Sequence, residues 1–147
     1  MGENLHMMKL SVGTESVDGL AEWQAGLIAR NHAAGIGPWA THVTRMWPRR
    51  EAEILDGGSI YWVIKGVVQC RQRIERLDER HGADGIRRCA LVLDPQLYRT
   101  HAQPRRAFQG WRYLRPEDAP ADRGPYQPGE EDLPANLVQD LAAFGVL

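Results

Sequence analysis

The chain has 147 residues, 43% hydrophobic and 25% charged, with a net charge of −1. That length gives one domain with a core that needs no disulfide or metal staple, and that composition excludes a disordered or fibrous chain. No apolar run approaches the ~20 residues of a membrane-spanning helix. The start MGENLHMMKLSV also lacks a signal peptide's order, and His6 stands where a myristoylation motif has Ser or Thr, so a cytoplasmic protein is expected.

In chain order, His6 to Val12 alternates as a first strand. Ser16 caps a helix in which Val17, Leu20, Trp23, Leu27 and Ile28 share one face, and Gly35 follows its end. Trp39 to Met46 reads as a second strand. Pro48 opens a short helix that turns Ile54 and Leu55 inward and stops at Asp56-Gly57-Gly58. Ser59 to Lys65, β-branched and aromatic, is a third strand. Residues 67 to 77 fit a helix through Val67, Cys70, Ile74 and Leu77, or a strand through Val68, Cys70, Gln72 and Ile74. The Arg, Gln and Glu content favours the helix, with Arg71 then pairing with Glu75 at i,i+4. Arg88 to Asp94 and Gln109 to Leu114 are further strands.

Beyond Arg115 the composition changes, and five of the nine prolines fall within 116–134. Residues 116–133 therefore read as an extended acidic arm without regular structure, attached to an α+β domain over 1–115. A short amphipathic helix over 134–147 follows, with Leu137, Val138, Leu141 and Phe144 on one face. The expected fold is a small mixed or barrel-like β-sheet with short helices packed on it.

The near-neutral total conceals a division. Residues 42–115 carry 15 basic side chains against 8 acidic ones, while 116–147 carry −6. Only Lys9 and Lys65 of the 18 basic residues are lysines. Arginine's planar fork pairs with phosphate and carboxylate and stacks on rings, so this bias points to an anionic partner. No GxGxxG or GxxxxGK[ST] loop is present and no cofactor is expected. Cys70 and Cys89 have no metal-ligand spacing, so no metal is expected and both read as reduced thiols.

Three clusters are candidates for a site. In HVTRMWPRR, His42, Arg45, Trp47, Arg49 and Arg50 lie around the start of the Pro48 helix, where free N–H groups favour an anion. In GGSIYWVIK, alternation sends Trp62 to the core and puts Tyr61 and Lys65 on the wetter face, while the Gly-Gly-Ser turn is either a phosphate-binding nest or a plain turn. In RRAFQGWRY, Trp111 and Arg112 interleave as rings and guanidinium groups do where bases stack and phosphates are held. His42 is the best general acid or base on offer, with Asp94 and Asp56 as carboxylates near strand or helix ends, since GxSxG, HExxH and Cys/His spacings are missing.

The segments HVTRMWPRR, DGGSIYWVIKG, RQRI, GIRRCALVLDP, FQGWRYL and PEDAP resemble those of an uncharacterised alphaproteobacterial family, domain-of-unknown-function family 1489. More distantly, the succession of strand, short helix, glycine turn and strand ending in a base is similar to the PUA-like superfamily, with its ASCH and EVE domains. That resemblance implies a small β-barrel with helices that binds RNA or modified bases. Counting from Gly58, the ASCH pattern's Lys and Glu fall on Ile60 and Val63, and Lys65 matches a basic position.

The resulting expectation is a nucleic-acid-binding module for RNA or an exposed, modified base. Arg45, Arg49, Arg50, Lys65 and Arg112 would hold phosphates, and Trp47, Tyr61 or Trp111 would stack. The alternatives are a small enzyme acting on a phosphorylated or carboxylated metabolite with His42 as acid or base, and a protein-interaction module using the acidic arm and terminal helix.

Overall fold

The computed structural model describes residues 5–129, and the expected terminal helix over 134–147 lies outside them. The described chain is α+β and dominated by one mixed sheet of eight strands. Its elements are β1 (His6–Leu10), α1 (Val17–Ala33), β2 (Ala40–Thr44), α2 (Glu51–Leu55), β3 (Ser59–Ile64), β4 (Val67–His81), β5 (Arg87–Leu93), β6 (Tyr98–Pro104), β7 (Trp111–Leu114) and β8 (Asp122–Pro125). The order β2-β5-β4-β3-β1-β7, with β6 against β4 and β8 against β6, leaves the sheet open rather than closed into a barrel. β1 and β3 run parallel, and the other pairings are antiparallel.

β4 organises the fold, and it corrects the expected helix over 67–77. Lys65 (φ 54°) and Gly66 (φ 77°) both adopt left-handed backbone. They form the two-residue turn that matches strand twist, which sends the chain straight back along β3 with Ile64 opposite Val67. From Cys70 on, Cys70, Gln72 and Ile74 are buried while Arg71 and Arg73 between them are more open, which is strand alternation. Arg71 accordingly meets no Glu75. Its guanidinium instead grips Asp122 through two bonds of 2.8 and 2.6 Å.

Fifteen residues make a strand long enough to serve two regions. Its first half lies between β3 and β6, while residues 74–81 pair with β5. Register shifts at Val68/Cys70 and Ile74/Arg76 mark irregularities where such a strand can bend. The main core collects Met7, Ile60, Ile64, Ile74, Leu91 and Leu93 beneath α1 and α2. A smaller cluster of Tyr61, Val63, Val68 and Leu114 lies apart from it.

α1 starts as expected, with the Ser16 hydroxyl accepting the Gly19 N–H at 2.9 Å. Its inward face is Val17, Leu20, Gln24 and Asn31, so two amides occupy positions that periodicity reserves for apolar side chains. The arm is not free of regular structure. A 3-10 turn at Pro116–Asp118 leads into β8, which pairs with β6, and Tyr126 hydrogen-bonds through its hydroxyl to Asp18 of α1.

Candidate functional site

β1 and β3 on one side, and β2 and β5 on the other, are not hydrogen-bonded to each other. Between them, under α1 and the 11–16 loop, lies a cavity of about 780 Å³, within the ~300–1,000 Å³ range of ligand sites. Lys9 of β1, Trp62 of β3, Leu93 of β5 and Thr41 and His42 of β2 line it from the sheet. Leu20, Trp23, Gln24 and Leu27 line it from α1.

A buried amide network fixes one wall. Gln72 on β4 is fully buried, and its Oε1 accepts from Gln24 Nε2 at 2.7 Å and from the Trp62 indole at 2.8 Å. Its Nε2 donates to Gln24 Oε1 at 3.0 Å and to the Asp94 carbonyl at 2.9 Å. The Trp62 ring is therefore held at the cavity wall by a residue whose own hydrogen bonds are satisfied. Gln24 faces the cavity with one amide proton and one lone pair left over.

His42 packs edge-on against Trp62, with ring centroids 5.7 Å apart. Burial first, then the charge of Lys9, lowers its pKa to about 4, so the imidazole is neutral at pH 7. Its Nε2 is buried without a hydrogen-bond partner among the described residues, an arrangement that costs about 1–3 kcal/mol if nothing satisfies it. Burial likewise lowers the pKa of Lys9. At the mouth, Trp23 is 62% exposed, although its spacing in α1 suggested a core position.

Of the residues singled out from sequence, the structure brings only His42 to this cavity. The β2–α2 loop carries Arg45, Trp47, Arg49 and Arg50. Arg50 is engaged by Glu53 at 2.6 and 2.7 Å and lies over the Tyr113 ring. The Trp47 ring is covered by the Arg87 guanidinium at 4.2 Å, and its indole donates to Glu51 at 3.0 Å. Arg45 and Arg49 are exposed.

Tyr61 and Trp111 are each only 5% exposed, and neither lines the cavity. Tyr61 belongs to the smaller core cluster, against Val63 and Leu114. Trp111 is pinned through its indole N–H to the Met46 carbonyl at 3.0 Å. Arg112, next along β7 and thus on the opposite face, bonds the Gln109 and Trp111 carbonyls and lies over Phe108. Lys65 is taken by the β3–β4 turn, away from the strand face expected for it. The Gly-Gly-Ser nest is not available to a phosphate. The Gly58 N–H goes to the Ile54 carbonyl and the Ser59 N–H to His6 Nδ1 at 3.0 Å.

With this geometry in place, comparison with known proteins identifies kinship. The family described as Protein of unknown function (DUF1489) matches residues 7–147. The chain belongs to that family. No curated protein and no solved structure matches this DUF1489 chain. Among its described residues no group of three His, Cys, Asp or Glu side chains gathers as a metal site, and no helix is long and apolar enough to cross a membrane.

Lys9, Trp23 and Gln24 are the cavity residues that pattern reading missed. The legible signal was polar: Gln24 and Asn31 interrupt the buried stripe of α1, and Gln72 interrupts that of β4.

Proposed function

We propose that this protein binds RNA by taking an unpaired base into the cavity beneath α1. The observation that carries the reading is that cavity of about 780 Å³, with the anchored ring of Trp62 in its wall and, at its mouth, the exposed ring of Trp23, over which the Arg30 guanidinium lies at 5.9 Å. Aromatic faces hold any base by stacking, worth roughly 1–3 kcal/mol each. Gln24 and His42 add directional hydrogen-bonding groups within a largely apolar enclosure, the usual composition of a specific pocket. The exposed guanidinium groups of Arg45 and Arg49 belong to the loop that follows β2, the strand that carries His42. They suit phosphates of a strand whose base enters the cavity.

The test is fluorescence anisotropy of a short labelled RNA across a salt series. Affinity should fall with a log–log slope of about −0.7 per phosphate contact, and Arg45→Ala should flatten it by about that amount. Trp23→Ala should weaken binding roughly 5- to 150-fold with the fold intact. An RNA that binds equally well to the Trp23 variant would remove the cavity from the account.

A second reading has one specific observation behind it. A neutral His42 beside Lys9 in a cavity is also the arrangement of an acid–base pair acting on a phosphorylated or carboxylated metabolite. Thermal-shift screening against such metabolites separates the two, because a ligand at 100 times its Kd adds ~2.7 kcal/mol.

A further inference from the structure

We infer that the cavity holds a whole phosphorylated nucleotide, free or at the end of an RNA strand, with its phosphate on Lys9. This rests on the base-binding reading above and adds how much of the nucleotide enters.

Size is the first argument. Bonded atoms take less space than separate waters at ~30 Å³ each, so a base of about ten non-hydrogen atoms fills less than roughly 300 Å³. Base, sugar and phosphate together, about 22 such atoms, fill less than roughly 660 Å³. The cavity of about 780 Å³ has room for the whole nucleotide and leaves a bare base loose.

Charge is the second. Lys9 lies between Trp62 and Trp111 in the sheet register, on the face that the cavity opens onto. Among the described residues it makes no ion pair, and burial is the only influence on its pKa. Glu15 and Glu22, the carboxylates lining the cavity, are exposed and leave that ammonium uncompensated. A partly desolvated cation without a counter-charge favours an anionic group from the ligand. His42 beside it is neutral and supplies no rival charge.

The experiment is tryptophan-fluorescence titration of the intact chain. Its probes are the four ribonucleosides, their 5′- and 3′-monophosphates, and short RNAs carrying a phosphate or a hydroxyl at either end. A phosphorylated probe should bind at least about tenfold tighter than its unphosphorylated counterpart. Lys9→Met should cut that advantage to under about twofold. Binding of mononucleotides identifies the free form, and binding of phosphate-ended RNA alone identifies the strand end. Equal affinity for phosphorylated and unphosphorylated probes overturns the inference while base binding stands. Binding of none of them overturns base binding as well. The wild-type comparison decides both points even if the Lys9 variant does not fold.

Discussion

Replacing Gln72 by methionine removes four hydrogen bonds while nearly conserving side-chain volume. Gln72 is fully buried, exchanges two bonds with Gln24, accepts from the Trp62 indole and donates to the Asp94 carbonyl. In Gln72→Met no cavity forms, so the polar loss stands alone. The Trp62 N–H is left buried without an acceptor, at a cost of about 1–3 kcal/mol, and the other bonds lose roughly 1 kcal/mol each where water cannot replace them. Gln24 faces the cavity and rehydrates in part. The total is about 3–5 kcal/mol, a large share of the 5–15 kcal/mol typical of a domain. Urea unfolding followed by far-UV circular dichroism reads it directly. With a slope of 1–3 kcal/mol/M, the midpoint should fall by about 2 M. A midpoint within about 0.5 M of wild type at unchanged slope would refute the amide network as the anchor of Trp62.

Three more predictions come from individual side chains. The folded pKa of His42 is about 4 against 6.5 for the free group. The unfolded chain therefore binds the extra proton between those values, and stability is complete above pH 6.5 and lost as pH falls towards 4. The difference in unfolding free energy between wild type and His42→Gln should shrink by on the order of 3 kcal/mol from pH 7 to pH 4, and a constant difference would contradict it. Gly58→Ala should cost about 3 kcal/mol or more by the same urea assay, because a Cβ there meets the Leu5 and Ile54 carbonyl oxygens at 2.3 and 2.4 Å. Cys70 and Cys89 are buried, and burial raises the Cys89 pKa to about 11. Neither should react with a colourimetric disulfide reagent until the chain unfolds, and rapid labelling of the native protein would oppose that.

How much of this was legible in the sequence differs by element. The capped helix α1 and the strands β1, β2, β3, β5 and β7 have local signals that the structure follows within a few residues. β4 was misread because Arg, Gln and Glu favour helix only weakly, and pairing to three neighbours overrides that preference. The decisive cue was Lys65-Gly66, two residues that accept left-handed backbone between two β-branched runs. β6 and β8 carry polar, proline-flanked sequences, and long-range pairing alone makes them strands. The site was hidden for a related reason. Arginines that looked collective are held singly, Arg71 by Asp122, Arg50 by Glu53 and Arg88 by Asp84. The cavity depends instead on a cross-strand neighbour relation, Lys9 with Trp62, and on which side of α1 faces inward. Neither is contained in local spacing.

The five tryptophans report separately on where a base goes. In a ¹⁵N–¹H spectrum of the full chain titrated with a phosphate-ended RNA, the indole resonances of Trp23 and Trp62 should shift together, and that of the pinned Trp111 should stay in place. Shifts confined to Trp47 and Trp111, with Trp23 and Trp62 unmoved, would place the ligand on the β2–α2 loop and contradict the cavity beneath α1.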